Sequence, residues 1–259
     1  MQDSEGFTIV QSKGRATNGK VRKNKALVGG DLSSGGDCLA AKDIVSRIRR
    51  LESSFASGSS FAEACWSKIG PVVGERRAWL RCRGIGCVGR SEQAQLQCAF
   101  ALFLQARLGD EGKAPEFMEP LLVEAEKEAL QELGFDMGGG GRGGAQEAEN
   151  RVLEVLYCPH APAGLYHTEL QRRWSVEQLA LTVVIGNSFG SYAVRLPKGR
   201  APLLALTEPF VSEESLPNNP LASTTFNDTA IHSFARAAQT GLPPLSPEHS
   251  DHHDPEFIA

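Results

Sequence analysis

Apolar residues along this chain fall into two patterns. In the first half they recur with a helical period, and further on they form short, nearly unbroken runs. Ile44, Ile48, Leu51 and Phe55 stand at 4-3-4 spacing, one stripe of a helix ending near Gly58. A second short helix is expected around Phe61 to Ile69. A strand at 78–83 (AWLRCR) leads through a glycine loop into a long helix from Ser91 to Leu108, with Leu96, Phe100, Phe103 and Leu104 on its inner face. A short strand ending at Met118-Glu119 follows, then a helix carrying Leu122, Leu130 and Leu133 and stopped by Gly134. Phe135 to Met137 reads as a further brief strand. VLEVLY at 152–157 and LTVVIG at 181–186 are the clearest apolar runs, with helix over 163–180 between them. Such runs are strands buried on both faces, as in a parallel sheet. Strands alternating with helices predict the α/β class, as a Rossmann-like three-layer sandwich with a mostly parallel sheet.

The ends read differently. Residues 12–36 are polar and glycine-rich and carry six Lys or Arg by Lys25. Apolar side chains are too few there to offset the entropy of ordering, so residues 1–36 are expected to be a disordered basic arm. The run from Lys20 to Lys25 is either a solvated tail or a segment for nuclear import or an acidic partner. GGGGRGGAQ at 138–146 reads as a surface loop, and the proline-rich, acidic residues 241–259, with His249, His252 and His253, as a disordered tail. One α/β domain over 37–240 remains. A net charge of −4 gives no whole-protein field favouring nucleic acid, so direct nucleic-acid binding is not expected. No secretory leader and no apolar run of roughly 18 residues is present, so membrane insertion is not expected either. The expected location is the cytoplasm, with the basic run as the argument for the nucleus. The six cysteines form no C-x-x-C pair and read as free thiols; no His/Cys cluster has metal spacing, so no metal site is expected.

Candidate chemistry gathers at the loops after the strands. Gly84-Ile85-Gly86-Cys87-Val88-Gly89 is a complete G-x-G-x-x-G between a strand and a helix. Its glycines suit a tight turn and close backbone approach, and the following helix would aim its free N–H groups at an anion. A nucleotide-like or other anionic small ligand is one reading; a tight turn with nothing bound is the other. Glu119 ends the second strand, where an acidic side chain commonly meets a ribose hydroxyl, although it lies 30 residues past Gly89, farther than a dinucleotide fold leads one to expect. Arg83 either faces the strand's mouth, favouring an anion, or reaches solvent at a sheet edge. Cys158-Pro159-His160 and Gly186-Asn187-Ser188 end the two apolar strands, at the edge where open α/β sheets hold ligands. His160 is either an acid/base or a strand-end cap with its ring bonded to backbone, and Asn187 either orients a ligand or braces a loop. Asp228 and His232, four apart, would share a face at a helix start, with Asp228 orienting His232; the alternative is that Asn227 or Asp228 caps that helix. The candidate ligand-binding residues are thus Gly84, Gly86, Gly89, Glu119, Asn187 and Ser188. The candidate acid/base residues are His160, Asp228 and His232.

These stretches together resemble the SRR1 family. The resemblance rests, in order, on Gly6 to Val10, RCRGIGCVG at 81–89, FMEPLL at 117–122, LYCPHA at 156–161, RRWSVEQL at 172–179, VVIGNSFGSY at 183–192 and FNDTAIHSF at 226–234. It covers about residues 60–236. Glu119, Ala161 and Arg83 depart from the family pattern, which is expected to carry Asp, Cys and an aromatic or apolar residue there. What the resemblance implies is regulation: circadian rhythm and light response, and haem metabolism in animal relatives, with no settled reaction. The first reading is therefore a regulatory protein with a Rossmann-like pocket for a nucleotide-type or other anionic small ligand. The alternative is an enzyme, a transferase or oxidoreductase, using His160 or the Asp228–His232 couple as acid/base. A pure interaction module is the third. The sequence names neither a cofactor nor a protein partner.

Overall fold

Capping and periodicity set the helices where the pattern puts them. The computed structural model describes residues 38–109, 113–138, 152–195, 201–218 and 224–245; the expectations for 1–36, 139–146 and 246–259 lie outside them. Helix α1, Ala41–Ala56, buries Ile44, Ile48 and Phe55. Ser59 opens α2 (Ser60–Val73) by accepting from the Ala62 amide at 3.4 Å, and Ser91 opens α3 (Glu92–Leu108) from the Ala94 amide at 3.1 Å. Most residues of α3 from Ala94 to Leu104 are buried, because the helix lies between the sheet and α1. Helix α4 is Glu124–Glu132. The helix expected over 163–180 is two, α5 (Ala163–Gln171) and α6 (Val176–Ala180), with Ser175 capping the second through the Gln178 amide. Helices α7 (Phe189–Arg195), α8 (Pro202–Thr207) and α9 (Ala237–Thr240) follow.

Six strands form one sheet among the described residues: β1 (Ala78–Arg83), β2 (Glu116–Met118), β3 (Leu153–Cys158), β4 (Thr182–Asn187), β5 (Ser212–Ser215) and β6 (Thr229–Ser233). Their order is β2-β1-β3-β4-β6-β5, parallel from β2 to β4 and antiparallel at β6 and β5. The mostly parallel α/β expectation is met. Phe135 to Met137 contributes a single parallel bridge, Glu116 to Asp136. The helix start expected at Asp228 is corrected. Asp228 turns in the left-handed region at φ 59°, and Thr229 to Ser233 leave as a strand with His232 opposite Val184. Thr229 and Ile231, β-branched and buried, suit that strand.

Successive strand residues feed two cores. Leu80, Cys82, Val155, Tyr157, Val183, Ile185 and Ile231 meet α1 to α4 on one face, with Phe55, Phe61, Phe100 and Phe226 packed together there. Leu156, Cys158 and Val184 meet α5, α7 and α8 on the other. Leu242 and Leu245 join this second core, and the Trp174 indole donates to the Pro243 carbonyl at 2.9 Å, so packed structure runs beyond residue 240. No described helix is long and apolar enough to cross a membrane.

Arg81 and Arg83 point to the second face and do neither of the things expected of Arg83. Arg83 is buried, donating to Glu116 at 3.0 Å and to the Cys82 carbonyl at 3.1 Å, and lies 3.7 Å from Glu169 of α5. Arg81 bridges Glu116 (2.6 Å) and Glu154 (3.1 Å), and Arg173 bridges Glu154 (2.7 Å) and Glu169 (2.6 Å). Arg172 adds an exposed pair to Glu169 at 3.1 Å, so four arginines and three glutamates join β2, β1, β3 and the end of α5. Burial alone would raise the Glu116 carboxyl, but Arg83 and Arg81 outweigh it and hold it below its ordinary value of 4.5. Its share of stability is therefore complete above pH 4.5 and disappears as the pH falls through the lowered value. Truncating Glu169 leaves the buried Arg83 and Arg173 with one carboxylate each, Glu116 and Glu154, and an excess of positive charge out of water. Glu169→Ala should destabilise by about 3–5 kcal/mol, read as a lowered midpoint in urea unfolding. An unchanged midpoint would mean the network carries no net stability.

Candidate functional site

The strand order reverses between β1, whose chain runs on to β2, and β3 on its other side, so their carboxyl ends form the natural crevice. The glycine loop leaves β1 there. Gly86 sits at φ 91°, a conformation that side chains with a Cβ resist, yet a Cβ would have only Ala94, 3.8 Å away, as a neighbour. Gly86 is needed for its backbone angle rather than for a close approach. Gly89 is the reverse: a Cβ would lie 2.4 Å from the Cys38 sulfur and 3.0 Å from Glu126 Oε1. Gly84 abuts Ala161 and Leu165, which joins the loop to the β3 end.

Two of the loop's amides face carboxylates of the chain itself. Gly86 N–H donates to Glu119 Oε2 at 3.0 Å, and the other Glu119 oxygen accepts from the Leu121 amide at 3.3 Å. Gly89 N–H donates to Glu126 Oε1 at 2.7 Å. Glu119 therefore reaches the loop as its position at the end of β2 suggested. Burial first, then the neighbouring Glu126 and Glu119, raise the Cys87 thiol, so this loop cysteine is no ready thiolate.

His160, Asn187 and Ser188 stand at the same carboxyl edge. His160 adopts φ 57°, a strained angle for this residue, and its amide donates to Asn187 Oδ1 at 2.9 Å. Its Nε2 meets the Thr225 carbonyl at 2.9 Å; a carbonyl only accepts, so Nε2 carries the proton and Nδ1 is the acceptor of the neutral ring. The ring is bonded to backbone, as the cap reading has it, in a half-buried position. Asn187 Nδ2 donates to the Tyr192 hydroxyl (2.8 Å), which donates to the Ala161 carbonyl (2.6 Å). The Tyr166 hydroxyl accepts from the Asn187 amide (2.8 Å) and donates to the Cys158 carbonyl. Two tyrosines thus hold the ends of β3 and β4 together. The signal for Tyr166 was Gly186, the one glycine in an apolar strand, where a Cβ would fall 2.4 Å from that hydroxyl.

Asp228 and His232 do not form a couple. The Asp228 carboxylate accepts from Ser191 Oγ at 2.7 Å and pairs with Arg195, while its carbonyl accepts from the Ser188 amide at 2.8 Å. His232 is sealed from solvent, stacked 3.9 Å from the Phe189 ring. Its Nδ1 donates to the Val184 carbonyl at 3.2 Å, and Nε2 faces the Phe189 amide (3.4 Å) and Glu213 (3.3 Å). The carboxylate beside His232 is Glu213, which also accepts from Ser188 Oγ and from the Gly190 amide at 3.1 Å. The physical reason is the strand: on β6, residues four apart do not stack as they do on a helix, whereas β5 places Glu213 directly opposite His232. Sequence reading missed Glu213, Tyr166, Tyr192 and Glu126. Among the described residues no three His, Cys, Asp or Glu side chains stand in a metal-holding arrangement.

The SRR1 domain matches residues 66–233, about two thirds of the chain and all six strands. The chain belongs to the SRR1 domain family. It is similar to the protein SENSITIVITY TO RED LIGHT REDUCED 1 of Arabidopsis thaliana, 24% identical over 167 residues that make up 62% of this chain and 60% of that one. It is also similar to an SRR1-like protein of Mus musculus, 27% identical over 134 residues, 52% of each chain. The matches thus span between half and two thirds of the length of these curated relatives. No solved structure matches. The residues of the SRR1 domain include every carboxyl-edge group described above.

Burial raises the Glu213 carboxyl, but His232 beside it, the Ser188 hydroxyl and the Gly190 amide outweigh it and lower it from 4.5 to about 2. A lowered value means stabilisation that is complete above pH 4.5 and is lost as the pH falls toward 2. Thermal midpoints of Glu213→Gln measured across that window should fall less steeply with acid than those of the unaltered chain; parallel curves would contradict the assignment. Tyr166→Phe, which removes one hydroxyl serving both strand ends, should destabilise by about 1–3 kcal/mol in the same assay.

Proposed function

We propose that the chain is a regulatory protein of the SRR1 type, acting in red-light and circadian responses through a small-ligand site on a Rossmann-like three-layer sandwich. The observation that carries this reading is that the family match encloses the whole sheet and its carboxyl edge. The reversal of strand order at β1 and β3 and the two cores on opposite faces support the Rossmann-like part. The strained His160, anchored through Asn187 beside the glycine loop, supports the site. The ligand expected from the sequence is nucleotide-type or otherwise anionic. The enzyme alternative keeps His160 as its acid/base, since His232 presents no accessible face.

Expression of the chain in Arabidopsis plants lacking SENSITIVITY TO RED LIGHT REDUCED 1 should restore their red-light response, and His160→Ala, if folded, should not. A folded chain that leaves those plants unchanged speaks against the regulatory reading. Native mass spectrometry of the purified chain should show a small bound molecule; rescue without one removes the ligand from the proposal.

A further inference from the structure

Glu126 is fully buried, yet no cation pairs with it among the described contacts. Its two oxygens are held by backbone instead: Oε1 accepts from Gly89 N–H at 2.7 Å and Oε2 from Val123 N–H at 2.9 Å. Gly89 lies just ahead of α3, and Val123 is the residue that opens α4. Glu126 is itself in the first turn of α4, so its carboxylate closes the amino end of its own helix, where about half a positive charge gathers, and reaches across to the loop two residues ahead of the Ser91 cap of α3. An ionised carboxylate is expensive to bury, and this is the environment that offsets the expense without a counter-ion. It is also the environment that a glycine loop ahead of a helix offers to a phosphate. The space is filled: a Cβ on Gly89 would come within 3.0 Å of Glu126 Oε1 and 3.1 Å of its Cγ. Nearer the surface, the Gly86 amide is taken by Glu119.

We infer that the glycine loop is an anion site whose anion is the chain's own Glu126, with Glu119 beside it, so a ligand held at this edge places no phosphate on the loop. The inference rests on the reading of the carboxyl edge as a ligand site and narrows it: of nucleotide-type compounds, the class that fits presents an uncharged portion to Gly86 and Gly89. A phosphate there would have to displace a buried carboxylate bound by two amides, and would meet the charge of Glu119 on the way.

Glu126→Ala empties the place of one carboxylate. Its thermal midpoint should fall, and excess sodium formate should restore about half of the loss by binding only the folded state, relative to sodium chloride at equal ionic strength. Formate should leave the unaltered chain where chloride leaves it. In proton–nitrogen correlation spectra of the unaltered chain, pyrophosphate and ADP should leave the Gly86 and Gly89 amide signals in place. Formate without effect on a folded Glu126→Ala variant, or a Gly89 signal that moves with pyrophosphate, overturns the inference. Should the alanine variant not fold, the pyrophosphate titration decides alone. The formate arm needs no natural ligand, so it can fail while the ligand-site reading stands, and the reverse.

Discussion

A largely buried network of arginines and glutamates between the sheet and α5 sets the terms for the rest of this fold. An ion pair taken out of water returns its desolvation only if every partner is in place. Arg81 and Arg83 from β1, Glu116 from β2, Glu154 from β3, and Glu169 and Arg173 at the end of α5 and just past it therefore fix the register of three strands and the docking of one helix together. The carboxyl edge inherits that rigidity. Arg83 is the last residue of β1, directly before Gly84, and α5 also carries Tyr166, whose hydroxyl ties β3 to β4. The glycine loop leaves directly from this buried network, one residue after Arg83.

Many polar groups near that edge are satisfied from within. Glycine-loop amides meet Glu119 and Glu126, the Asn187 side chain meets His160 and Tyr192, and the Thr225 carbonyl is shared by His160 and Gln97. Groups locked in this way hold their directions before any ligand arrives, which lowers the ordering cost of binding. The amides of Gly86 and Gly89 and the side chain of Asn187 are thereby already committed. The chemistry of the edge is thus decided as much by what the chain has already bound as by what it exposes.

How far the sequence discloses this depends on the range of the interaction. Four parallel strands, the first three helices and the glycine loop are legible, because each is a local pattern of period 2, 3.6 or glycine placement. The antiparallel pair β5 and β6 is not. SEES has no apolar side chain to mark a strand, and TAIHS after Asn227-Asp228 has the look of a capped helix until it pairs with β4. The pairing of Glu213 with His232, and of Glu126 with Gly89 across 37 positions, exists only once the chain has folded. Arg83 stands out at the end of a core strand, but the partners Glu116 and Glu169 look like ordinary surface acids in the sequence.

The short strand β5 has a consequence of its own. It ends the sheet, is exposed throughout, and carries Glu213 and Glu214 in the middle of its four residues. An edge strand leaves hydrogen-bonding groups facing outward, an invitation for a second chain to add itself strand to strand. Four residues are too few to template much pairing, and Lys68 already occupies the Glu214 carboxylate and the Ser215 carbonyl, at 2.9 and 3.0 Å. Among the described residues the sheet ends at β5, and a strand this short resists growing into a polymer at high concentration.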